Sequence, residues 1–98
     1  MKIEKKLNGE TMEVALDGRL DSVTAPELEK ALLGCLTNVS ELVFDFADLE
    51  YISSAGLRVL LVAGKSLKYG ANVRIRNANE LVREVFEVTN FDAFATIE

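Results

Sequence analysis

The sequence contains no histidine and no tryptophan, one cysteine (Cys35) and one proline (Pro26). Without histidine, the commonest general base and the commonest metal ligand are missing. A single cysteine leaves no internal disulfide. Cations are in deficit, 11 Lys and Arg against 16 Asp and Glu, for a formal net charge of −5. A chain of that sign without a basic stripe is ill suited to nucleic acid or to an anionic membrane surface. Long hydrophobic runs are missing too. The longest, Val59 to Ala63, is far too short to span a bilayer. Met1 to Leu7 alternates charged and apolar residues and holds no signal-peptide core. A cytoplasmic location is expected. No G-x-S-x-G elbow, P-loop or dinucleotide glycine pattern occurs. A serine nucleophile would lack a base, so no enzymatic activity, metal or cofactor is expected.

What is present suits one domain over residues 1–98 with one core. Of the 98 residues, 49% are hydrophobic and 28% charged, as in ordinary globular chains. Lys2–Leu7 and Met12–Leu16 alternate like half-buried strands, and Asn8-Gly9 between them suits a type I′ hairpin turn. Gly18 to Val23 reads as a connector. Thr24-Ala25-Pro26-Glu27 has the form of a capping box. Leu28, Ala31, Leu32, Cys35 and Leu36 then follow helical spacing, with Gly34 a weak point. Leu42 to Phe46 is apolar enough for a central strand covered on both faces.

Leu57, Leu60, Leu61 and Gly64 line one face of a second helix, widened by Val59, Val62 and Ala63. Lys65 and Lys68 complement its last turns, and Gly70 is a left-handed stop. Asn72 to Arg76 alternates as a strand with one wet side. Asn77 is the expected cap of a third helix with the stripe Ala78, Leu81, Val82, Val85 and Phe86, in which Arg83 is spaced to pair with Glu80 and Glu87. Phe91, Phe94 and Ile97 form a docking tail, with a short strand at Thr96 and Ile97. The order β-β-α-β-α-β-α predicts an α/β fold. Its sheet is mixed and mostly parallel, with four to five strands and three to four packed helices.

Ile52-Ser53-Ser54-Ala55-Gly56-Leu57 stands where a strand hands over to a helix. A helix N-terminus has unpaired N–H groups and partial positive charge, and so favours an anion, including a phosphate carried by the chain itself. Ser54 is the candidate acceptor; the plain alternative is that one serine is an ordinary cap and the other incidental. Gly56 leaves the helix start open to a visitor. Asp21, in the connector, is expected beside Ser54, since a doubly wound sheet gathers such connectors at the strand carboxyl ends. Arg58 interrupts an apolar helix near its start. Asp45 and Asp48 would stand at a strand end, and a turn role outweighs metal binding for both. Cys35 reads as core.

Leu49-Glu50-Tyr51-Ile52-Ser53-Ser54-Ala55-Gly56-Leu57 resembles the signature loop of STAS domains, and most of all that of bacterial anti-sigma factor antagonists. Gly18-Arg19-Leu20-Asp21 is similar to the family's Gly-x-Leu/Ile-Asp connector, and Val88 to Phe94 to its C-terminal pattern. The family often has aspartate where Ser53 stands. The resemblance implies a protein that binds a serine-kinase anti-sigma factor and is switched off by phosphorylation at Ser54. A serine phosphatase would reset it. The contact surface would comprise Asp21, Ser53, Ser54, Gly56 and Arg58. The alternative is an unphosphorylated STAS adaptor subunit of a lipid-transport or stress-sensing assembly.

Overall fold

Two long strands organise the chain. The computed structural model describes all residues from Met1 to Glu98. It runs β1 (Lys2–Asn8), β2 (Thr11–Leu20), α1 (Ala25–Leu32), β3 (Glu41–Ile52), α2 (Ser54–Lys65), β4 (Asn72–Arg76), α3 (Glu80–Val88), a 3-10 turn (Phe91–Ala93) and β5 (Thr96–Ile97). The sheet order is β1-β2-β3-β4-β5. β1 is antiparallel to β2, and every other pairing is parallel. The hairpin turn is Gly9-Glu10. Only Gly9 has positive φ (+64°), the pattern of a type II′ rather than a type I′ turn.

Met12, Val14 and Leu16 of β2, Leu42, Phe44 and Phe46 of β3, and Val73 and Ile75 of β4 point to one side. They form a single core of 25 buried residues with Leu28 and Leu32 of α1, Leu57 and Leu60 of α2, and Val82 and Phe86 of α3. Val43 is buried but lies outside that cluster. The helices therefore cover one face of β3, not both as its apolar run suggested. On the open face Val43 is flanked in register by Glu13 and Arg74. Arg74 pairs there with Glu41 at 3.1 Å and with Glu98.

β3 also continues past Phe46 to Ile52. Asp45 and Asp48 are thus mid-strand residues, not strand-end ones. The Asp45 carboxylate accepts from Asn77 Nδ2 and Ala47 N, each at 3.0 Å. The Asn77 bond, helped by Ala47 and Arg76, holds its carboxyl below the ordinary aspartate range against the cost of desolvation. Asp48 is exposed, in register with Asp17.

Helix ends differ from expectation for local reasons. α1 stops at Leu32, and Gly34 turns left-handed (φ +76°), so Cys35 and Leu36 lie beyond the helix. Cys35 packs, half-buried, against the core. α2 ends at Lys65 rather than near Gly70, and Ser66 Oγ donates to Val62 O at 2.8 Å. Lys68 instead pairs with Glu10 at 3.0 Å. Asn79, not Asn77, caps α3, accepting from Val82 N at 2.8 Å. Asn77 takes the left-handed conformation (φ +61°). Arg83 reaches Glu98 O at 3.5 Å and pairs with neither Glu80 nor Glu87.

Candidate functional site

The site forms where β2 and β3 end. Leu20 and Ile52 are paired in register, and Ser53 N donates to Leu20 O at 2.9 Å. Asp21 and Ser53 therefore leave the sheet side by side, and α1 and α2 start together. The expected juxtaposition of the Asp21 connector with the serines is present.

The two serines have different surroundings. Ser53 is the cap, extended at φ −101°, ψ 175°, and its Oγ accepts from Gly56 N at 3.4 Å. Its carbonyl accepts the next helical bond, from Leu57 N at 3.0 Å. Ser54 is the first helical residue and is exposed. Its hydroxyl makes no hydrogen bond with the chain. No acidic side chain lies in the first turn of α2, so the helix itself carries no carboxylate against its positive end.

Gly56 does not leave this end open. It is buried, and a Cβ there would stand 2.7 Å from Leu20 Cγ and 3.0 Å from Ile52 Cγ1. Glycine lets α2 approach the two strand ends; it offers no side-chain surface to a partner. Arg58, one turn beyond Ser54, is exposed as a contact residue must be.

Asp21 shapes its own turn. One carboxylate oxygen accepts from Val23 N and Thr24 N, each at 3.0 Å. The Thr24 backbone bond is the largest cause holding its carboxyl below the usual range, with Val23, the Thr24 hydroxyl and Arg19 adding to it against desolvation. This arrangement replaces the capping box. Thr24 is helical in backbone (φ −91°, ψ −20°) and makes no side-chain cap. Its hydroxyl accepts from Asp21 N at 2.9 Å and donates to Arg19 O at 2.7 Å.

Three neighbours escaped the sequence reading. The Arg19 guanidinium sits 4.7 Å over the Tyr51 ring and 4.0 Å from the second Asp21 oxygen. Val23, on the connector, is 79% exposed. Arg19 and Tyr51 meet because they are paired in the β2–β3 register. That register requires β2 to run on through Gly18 to Leu20, a stretch that reads as connector in the sequence. The chain holds no group of three or more His, Cys, Asp and Glu side chains placed to bind a metal. With no base bonded to Ser54, the arrangement offers a hydroxyl to an external reagent.

A family model described as "Mlab, STAS domain" matches residues 3–97. BtrV of Bordetella bronchiseptica, which bears the name of an anti-sigma factor antagonist, is 37% identical over 78 residues, covering 78% of this chain and 67% of that protein. The anti-sigma-B factor antagonist of Bacillus subtilis is 26% identical over 88 residues, covering 89% of this chain and 81% of its own. The crystal structure of an anti-sigma factor antagonist from Mycobacterium paratuberculosis shares the fold. Its TM-score is 0.87 over 98% of this chain and 83% of that one, at 23% identity.

Proposed function

Because the chain belongs to the STAS domain family, we propose that it is an anti-sigma factor antagonist, a non-catalytic protein controlled by phosphorylation of Ser54. Unphosphorylated, it docks on a serine-kinase anti-sigma factor and releases the sigma factor. The docking surface is the β2–β3 end: the Asp21 turn, Ser53, Ser54 and Arg58, with Val23, Arg19 and Tyr51 added. Gly56 acts only by packing. The kinase then modifies Ser54, and a serine phosphatase restores it, all in the cytoplasm.

The observation that carries this reading is the division between the serines. Ser53 accepts the capping bond, which leaves the exposed Ser54 hydroxyl free. A phosphate there adds about −1.5 to −2 charge. At the positive end of α2 that charge is tolerated or stabilising by about 0.3–1 kcal/mol. Pressed into a partner's surface, the same charge is repelled or left desolvated. The switch thus changes the partner and leaves the fold alone.

Isothermal titration against the cognate anti-sigma factor tests it, with melting curves alongside. Ser54→Ala should bind like the wild type. Ser54→Asp should bind at least about tenfold more weakly, a loss of roughly 1.4 kcal/mol, while melting within a few degrees of it. Equal affinities, or an unfolded Ser54→Asp protein, would overturn the reading.

A further inference from the structure

The outward row of α2 runs Ser54, Arg58, Val62, one residue per turn and all three exposed. Between them Gly56, Leu57, Val59 and Leu60 are buried. Arg58 has a second peculiarity. Arg19 has Tyr51 and Asp21, Arg74 has Glu41 and Glu98, Arg76 has Glu13, and Arg83 has the Glu98 carbonyl. Arg58 alone among the arginines has no partner, in a chain with 16 carboxylates.

Resting on the reading of Ser54 as a phosphate acceptor, we propose that Arg58 is the intramolecular counter-ion of phosphorylated Ser54. Residues four apart on a helix are neighbours on one face, and the anion-first order is the favourable one. Four residues rise about 6 Å along the axis, a distance an arginine side chain covers. A guanidinium grips phosphate through two parallel N–H···O bonds, a geometry lysine lacks. Arg19, a second cation near this end, is already held between Tyr51 and Asp21. Phosphorylation therefore acts twice on the docking surface: it adds an anion and withdraws the free arginine.

The test installs phosphoserine at position 54 during translation, so it does not depend on any kinase. The phosphate is titrated by phosphorus NMR between about pH 5 and 8, around its second pKa. Arg58→Gln should raise that pKa by about 0.3 unit or more relative to wild type. Arg58→Lys should raise it by less, and Arg19→Gln should leave it in place. An unchanged pKa in Arg58→Gln, or a shift produced by Arg19→Gln instead, overturns the proposal. Unphosphorylated Arg58→Gln should melt with the wild type, because Arg58 has no bond to lose. If the cognate kinase ignores Ser54, the functional reading fails while this titration still reports the contact.

Discussion

Ser53→Ala and Ser54→Ala should have opposite standing in stability and in function. Ser53 Oγ satisfies the Gly56 N–H at 3.4 Å, a long bond. Loss of a serine cap costs about 0.5–2 kcal/mol, and this geometry alone points to the lower half. Gly56 is buried, however, so its N–H is left without ready access to water, which raises the loss again. A net loss of about 1 kcal/mol follows, or about 4–8 °C in melting temperature for a domain of this size. The Ser54 hydroxyl bonds to nothing in the chain, and alanine is the better helix former, so Ser54→Ala should stay within about 0.5 kcal/mol of wild type. Ser53→Asp should keep most of the stability, since aspartate caps as well as serine. Urea titrations and calorimetry on the set give the comparison. If Ser54→Ala loses as much stability as Ser53→Ala, the assigned division of roles is wrong.

Gly56→Ala should destabilise. Its methyl group meets the branched Leu20 Cγ at 2.7 Å and the Ile52 Cγ1 methylene at 3.0 Å. Overpacking of about 1–3 kcal/mol is only partly offset by a helix-propensity gain of up to about 1 kcal/mol. Trimming the opposing side chain, as Gly56→Ala with Leu20→Ala, should be strongly non-additive in a urea-melt double-mutant cycle. Asn79→Ala removes the cap bond to Val82 N and two bonds donated to Leu49 O and Glu50 O. It should cost about 2–3 kcal/mol by chemical denaturation. Asp21→Asn tests the acid side. The folded-state pKa of Asp21 is depressed, so its stabilisation is present above the ordinary carboxylate range and is lost as pH falls through the folded value. Asp21→Asn should be less stable than wild type at about pH 7, and the gap should narrow as pH falls through the folded-state pKa of Asp21.

Much of the fold is legible in the residues, and what is hidden there has identifiable causes. The alternation of Met12, Val14 and Leu16 and the apolar faces of α2 and α3 are read from periodicity, and the Thr96–Ile97 strand from its place in the apolar tail. The position of Asp21 beside the serines followed from parallel topology. β3 reads short in sequence because its apolar run stops at Phe46 and the carboxylates Asp48 and Glu50 follow. They are tolerated where no helix covers the sheet. Thr24 looks like a cap because its spacing to Glu27 fits one; Asp21 accepts the Thr24 N–H that Glu27 would have taken, and the Thr24 hydroxyl is held by Asp21 N and Arg19 O. Asn77 and Asn79 are both plausible caps by residue type, and only the turn geometry separates the left-handed one from the capping one. Gly56 is ambiguous in sequence because a glycine wanted for close packing and one wanted for access look alike without the opposing Leu20 and Ile52.

The central claim is that the free hydroxyl of Ser54, and not that of Ser53, is the modified group. Incubation with the cognate anti-sigma factor kinase and ATP, followed by peptide mapping in a mass spectrometer, tests it most directly. The account predicts one phosphate, on Ser54, that persists in Ser53→Ala and disappears in Ser54→Ala. A phosphate on Ser53, or no incorporation at all, would contradict it.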